Sequence, residues 1–350
     1  MIKLNKRYEV IITLVFLMLI SLPLYAGDAG RIGTAAGEQL KQPVGARDLA
    51  MGGANLAYTK GVDALYWNPA GLSNMESGFQ AAFSRVTIFN DIAVNYFALG
   101  VDFGNLGTLG FDIKSFDFGD ISLTTQEDMD GTSGATFSPT WGTIGLTYAN
   151  KLTTSIQVGV KAKFVYESVP RAGGNAVAFD LGIQYKNIAG LQGFSFAVLM
   201  KNIGSNMKYG GSALTEKVVD PTTGVTKYYE RVASSDQLPA FMSIGLAYNM
   251  DLNESSNVLF TGLFQNNNVE YDMFKLGVEY ANKNDIVPFA VRAGYIIAND
   301  IPDNYKQLYT YSFGVGVEKK FGNAMIGIDY AYRDADIFDA NNMFTIHVGF

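Results

Sequence analysis

The sequence predicts an all-β fold, a transmembrane antiparallel β-barrel of about fourteen strands behind an N-terminal plug segment, and three observations predict it. The chain opens on a leader, runs from about residue 78 in alternating segments cut by turn clusters, and ends on an aromatic, Phe350. Its 350 residues are 48% hydrophobic and 17% charged, which is too apolar for a disordered chain. The 24 Phe, 20 Tyr and 38 Gly suit a barrel, which uses rings at the membrane interfaces and glycines in turns and close strand contacts.

The leader has three parts. Lys3, Lys6 and Arg7 give a positive start, Val10 to Leu22 an apolar stretch of 13 residues, and Pro23-Leu24-Tyr25-Ala26 an exit ending on a small side chain. That pattern reads as a secretory signal peptide over 1–26, cut after Ala26. Thirteen apolar residues are fewer than the roughly 18–20 that a spanning helix needs, and no later run is longer. A membrane form of the mature chain therefore crosses as strands, because only helices and closed barrels satisfy their backbone in lipid.

The alternation is clearest late in the chain. In 324–333, Ile326, Ile328, Tyr330 and Tyr332 share one face while Gly327, Asp329, Ala331 and Arg333 share the other. In 308–318, Tyr309, Tyr311, Phe313, Val315 and Val317 alternate with small residues and Glu318; in 156–166, Val158, Val160, Ala162 and Phe164 oppose Gly159, Lys161 and Lys163. Soluble sandwiches alternate too. Here the glycines and charges share one side and the rings the other, so the polar side is assigned to the lumen: Asp112, Lys114, Lys161, Lys163, Asp180, Lys275, Glu279, Arg292, Glu318, Asp329 and Arg333. A one-residue slip in 273–280 would put Lys275 into lipid at a cost of roughly 2–4 kcal/mol at mid-depth, so the register is strongly specified. Charges of both signs favour pairing with a plug over an ion-selective ring.

The expected strands are 78–88, 91–103, 107–118, 136–149, 153–167, 175–186, 193–203, 238–250, 257–266, 270–282, 287–299, 306–320, 323–334 and 342–350. With the N-terminus in the periplasm, every even-numbered connection is periplasmic and short, and the long ones, 118–136 and 203–238, fall on the outside. The last strand carries Phe344, Ile346, Val348 and Phe350 outward and closes on the first. It looks like the terminal strand that the bacterial barrel-assembly machinery recognises.

Several chemistries are excluded. A net charge of −7 leaves no basic surface for nucleic acid. Without cysteine there is no thiolate metal site, cysteine nucleophile, disulfide framework or lipoprotein anchor. The sole histidine, His347, falls on the lumen face and reads as a polar lining residue; with one imidazole and no partner that the sequence places beside it, no lipase or protease site is expected. Asp128, Asp130 and Gly131 lack the twelfth-position Glu of a calcium loop, and Asp117-Phe118-Gly119 lacks every other kinase motif. No catalytic residue, metal or cofactor is expected, and the chain is read as non-enzymatic.

Residues 27–77 do not alternate and have the size of a plug ahead of a barrel spanning 78–350. They contain Val44-Gly45-Ala46-Arg47-Asp48-Leu49-Ala50-Met51-Gly52-Gly53-Ala54 and Asp63-Ala64-Leu65-Tyr66-Trp67-Asn68-Pro69-Ala70-Gly71-Leu72. This pairing resembles the PorV/PorQ family of outer-membrane proteins, itself similar to the FadL-type long-chain fatty-acid transporters, which share the Asn-Pro-Ala element in an N-terminal hatch. The resemblance covers about 44–72 and places Gly52, Gly53, Asp63, Trp67, Asn68 and Pro69 in a hatch. It implies a role in type IX secretion, receiving or anchoring exported proteins at the cell outer membrane through loops 118–136 and 203–238. The alternative is a FadL-like channel for hydrophobic small molecules. Outer-membrane lipid and the assembly machinery are partners under either reading.

Overall fold

A computed structural model describes residues 29–350 except 89–91, 284–286, 300 and 302–305. The expected signal peptide and its cut site lie outside the described residues. Fourteen antiparallel strands form the wall. They are β1 (Phe79–Thr87), β2 (Ala93–Asp102), β3 (Thr108–Asp117), β4 (Thr140–Lys151), β5 (Ile156–Val169), β6 (Ala172–Lys186) and β7 (Phe194–Gly204), then β8 (Phe241–Asn253), β9 (Ser256–Asn267), β10 (Met273–Asn282), β11 (Phe289–Ala298), β12 (Tyr311–Phe321), β13 (Ala324–Arg333) and β14 (Asn341–Gly349). Each pairs with its neighbours in sequence, and β14 pairs back onto β1 with Ser84 opposite Thr345 and Gln80 opposite Gly349. The barrel is closed, so no main-chain edge is left unpaired.

Every expected strand is present, and the fold class is borne out. The boundaries shift where a loop begins with strand-like residues: β4 starts at Thr140 and β12 at Tyr311, later than alternation alone suggests. Tyr309 therefore belongs to the loop before β12, and its ring lies inside, 3.6 Å from the Arg333 guanidinium carbon, rather than on the outer face with Tyr311. Connections at one end are short, 254–255 between β8 and β9 and 322–323 between β12 and β13 being two residues each, while both long connections, 118–139 and 205–240, leave from the other. Within the second, Met207–Gly210 extends the pairing of β6 beyond β7, and Thr215–Val219 pairs with Thr226–Glu230 as an exposed hairpin. A bulge between Phe179 and Leu181 opposite β7 accompanies the positive φ of Asn202, 61°, whose amide N–H donates to Asp180 Oδ1 at 2.8 Å.

The burial pattern is that of a soluble protein turned inside out. Lys161 and Asp180 are 3% and 1% exposed, whereas Leu146 and Phe344 on the outer face are 63% and 57% exposed. Period-2 strands with β-branched and aromatic residues on one side and small or charged ones on the other can bury both only if the outer medium is itself apolar.

The lumen is filled by residues 29–77, called here the inner segment. It contains two short helices, α1 (Ala46–Ala50) and α2 (Ala64–Trp67), and 3-10 turns at Glu38–Lys41, Gly61–Asp63 and Pro69–Asn74. Its small side chains, among them Ala46, Ala50, Ala54, Ala64 and Ala70, are fully buried, and Leu65 and Leu72 pack with Val86, Val94 and Tyr96 of the wall. Residues this small let short helices lie close to a wall that has no room for bulk.

Candidate functional site

The two motif stretches of the inner segment meet at Trp67. Its ring fits against glycines at positive φ: a Cβ on Gly53 (φ 72°) would stand 2.7 Å from it, and one on Gly45 (φ 88°) 3.3 Å from the indole nitrogen. Asn68 then turns the chain. Its side-chain oxygen accepts from Ala70 N–H at 3.2 Å and its amide donates to Leu56 O at 3.0 Å, both fully buried. Asp48 accepts from Asn55 Nδ2 at 2.5 Å and Thr59 Oγ1 at 2.7 Å. Burial and the neighbouring Asp63 carboxylate push it up to about 6.

The wall meets this segment with paired glycines. Gly159 and Gly182 are register partners on β5 and β6, and a Cβ on either would overlap the Asn68-Pro69-Ala70 turn. Across the barrel, Gly277 and Gly294 are partners on β10 and β11. A Cβ at Gly277 would be 2.8 Å from Met51 O, and one at Gly294 would overlap the Gly52 nitrogen. Gly52 N–H donates to Ser312 Oγ at 3.0 Å, and Ser312 in turn donates to Ala50 O at 3.0 Å. The inner segment is thus seated at two opposite places where the wall has no side chains.

Charge holds it in between. On one side Arg47 donates to both oxygens of Glu279 at 3.1 and 3.0 Å. Glu279 also accepts from Arg292 at 2.6 Å, Arg292 reaches Asp329 at 2.5 Å, and Asp329 lies 3.2 Å from His347 Nε2. Asp63 of the inner segment stands 3.9 Å from the same His347 nitrogen. This chain of four barrel groups and two inner-segment groups crosses β10, β11, β13 and β14, with Gly316 of β12 leaving room for the Arg292 guanidinium. On the other side Lys161 pairs with Asp112 at 2.7 Å and donates to Leu65 O at 2.7 Å, Lys163 pairs with Asp180 at 2.6 Å, and Gln184 donates to Leu56 O and Thr59 O at 3.0 and 2.9 Å.

Not every lumen residue named from the sequence joins these networks. Lys275 donates to Gln265 Oε1 at 2.7 Å, Arg333 donates to Asn341 Oδ1 at 2.6 Å, and Glu318 is exposed at the short-turn end. Phe344, Ile346 and Phe350 are exposed on the outer face of the closing region, and Val348 is half-buried. Two groups were missed in the sequence reading, Lys201 on β7 and Gln184 on β6. Lys201 shares the inward face of Ser195, Ala197 and Leu199, so the alternation could have found it. In the long loop, Asp128 spends its carboxylate on Ser133 N–H and Thr132 N–H, each at 2.8 Å. The Ser133 bonds foremost hold it well below the usual carboxylate range.

The inner segment separates two cavities that share no lining residue. At the short-turn end, a cavity of about 400 Å³ is faced by Arg47, Asp63, Glu76, Glu279, Glu318 and His347. Under the long loops, one of about 350 Å³ has apolar walls from Leu49, Leu56, Leu199, Phe241, Leu263 and Ile296, with Lys201, Lys275 and Arg333 among them. Apolar walls with a few polar groups characterise small-molecule sites.

No protein-family model matches the sequence, and no curated protein sequence matches it. Solved structures do resemble the fold. The Pseudomonas putida toluene transporter TodX has a TM-score of 0.54 at 15% identity, covering 87% of this chain and 97% of that one. A Pseudomonas aeruginosa FadL homologue has 0.52 at 11%, covering 88% and 98%, and the Ralstonia pickettii toluene transporter TbuX 0.51 at 13%, covering 87% and 96%. At such identities the likeness is one of fold, and it defines the class: a closed antiparallel barrel of fourteen strands with a short helical segment on its N-terminal side, similar in fold to FadL-type barrels. The neighbours are channels and transporters; none of these matches supports the PorV/PorQ likeness or the secretion role it implies.

Proposed function

We propose that the chain is an outer-membrane barrel that admits a small hydrophobic compound through the cavity beneath its long loops. The observation that carries this is the cavity itself, a space of about 350 Å³ with Leu49, Leu56, Leu199, Phe241, Leu263 and Ile296 in its wall beside the charged Glu38, Lys41, Lys201, Glu270, Lys275 and Arg333. The toluene transporters among the fold neighbours support the reading. The outward apolar face, the leader and the aromatic C-terminus support placement in outer-membrane lipid, with assembly by the barrel-assembly machinery. In that placement the long loops face outside and the short turns the periplasm. The inner segment then acts as a hatch between the two cavities, Gly52, Gly53, Trp67, Asn68 and Pro69 fixing its shape.

Binding tests this before transport does. Radiolabelled toluene and oleate are titrated into protein reconstituted in nanodiscs, with empty nanodiscs as background. Saturable binding of at least one is expected, weakened about tenfold by Leu263→Trp, which fills the cavity from β9. Absence of binding to both by the wild-type chain overturns the reading and returns weight to the handling of exported proteins, for which the hairpin Thr215–Val219 and Thr226–Glu230 offers the exposed surface.

A further inference from the structure

A third, much smaller chamber lies between the inner segment and strands β2 to β7, with about 10 Å³ of room, the space of about one water-sized occupant. Four lysines and two aspartates line it. Lys161 and Lys163 are matched by Asp112 and Asp180 at 2.7 and 2.6 Å. Lys114 and Lys201 are not: among the described residues neither has a carboxylate within ion-pair distance. Lys114 Nζ donates to the carbonyls of Gln39 at 2.6 Å and Gln42 at 3.0 Å. Lys201 Nζ donates to Tyr66 O at 2.6 Å and sits 3.5 Å from the Tyr66 ring centroid. An ammonium has three N–H donors, so each of these keeps at least one spare.

Two hydroxyls on the wall of the same chamber, those of Tyr96 and Thr143, are 3% exposed residues whose oxygens have no hydrogen-bond partner in the protein. Hydroxyls rotate and can donate to an acceptor placed between them. The chamber therefore combines two lysines without a carboxylate partner and two idle hydroxyls, beside Asp180, whose Oδ2 has no hydrogen-bond partner. A water would satisfy the hydroxyls but would not balance a protonated lysine, whose charge is costly in a low-dielectric interior unless it is paired. An organic carboxylate is too large for the space.

We propose that this chamber binds a small monovalent anion, a halide such as chloride, held by Lys114, Lys201, Tyr96 and Thr143. The anion would tie wall to inner segment, because the other partners of both lysines are carbonyls of Gln39, Gln42 and Tyr66. A ligand bound only by the folded state raises its stability with concentration and then saturates.

The test compares thermal unfolding of the detergent-solubilised full chain in sodium chloride, sodium bromide and sodium gluconate at equal ionic strength. A saturable upward shift in Tm of several degrees is expected with chloride and bromide over gluconate, and Lys114→Met should abolish it. Crystals grown in sodium bromide should show an anomalous bromine peak in the chamber, a readout that stands even if the variant fails to fold. Equal melting in all three salts without a bromine peak there overturns the proposal. So does a halide-dependent shift with bromide found only elsewhere.

Discussion

Gly159→Val is expected to unseat the inner segment from the wall. The new side chain would begin where the Pro69–Ala70 peptide now lies, and neither β5, paired on both edges, nor the Asn68 turn, bonded to Leu56 and Ala70, can step aside cheaply. Overpacking a dense interior costs typically 1–3 kcal/mol, and a backbone collision belongs at about 3 kcal/mol. The outer face does not change, so the barrel should still assemble. Limited trypsin digestion reads the difference, because Arg47 and Lys60 are cleavage sites of the inner segment and Arg47 is mostly buried. The wild type should resist at Arg47 and the variant should be cut there, with the barrel core intact on a gel. Resistance equal to wild type would mean that the glycine seat does not position the segment.

Glu279→Leu should have an effect of similar or larger size for a different reason. The carboxylate of Glu279 lies between Arg47 and Arg292, and removing it leaves Arg47 with no other acid within ion-pair distance among the described residues, while Arg292 keeps Asp329. Truncating one partner of a buried pair costs about 3–5 kcal/mol because the survivor's charge is stranded. The double variant Arg47→Leu/Glu279→Leu should recover part of that loss, and the denaturant midpoints of the four proteins give the coupling directly. Additive losses would show that Arg47 and Glu279 are neighbours without energetic dependence.

Much of this was legible in the sequence, for a physical reason. A strand's side chains alternate with period 2, so the faces of β5, β10 and β13 could be read residue by residue, and the parity of short and long connections checked the strand count. The pattern misled where alternation continued past the end of pairing, as at Tyr309, which turns inward under Arg333. The inner segment was readable only as a non-alternating stretch with two motifs. What joins those motifs, the Trp67 ring on Gly45 and Gly53, is a contact across turns that no periodicity encodes. Likewise the glycines at 159, 182, 277 and 294 were visible, but that they form facing pairs under the segment depends on strand register. Lys201 was within reach of the alternation argument; the mismatch of four lysines with two aspartates became visible only once five strands were placed side by side.

The most direct test of the account is whole-cell uptake of radiolabelled oleate by a Gram-negative host deleted for its own hydrophobe transporter and expressing this chain. The outer-leaflet barrier is then intact and the protein is the route across it. Uptake well above that of the empty host, falling toward background with Leu263→Trp at equal outer-membrane abundance, is the predicted result. Uptake no higher than the empty host for oleate, and for toluene measured the same way, would contradict it.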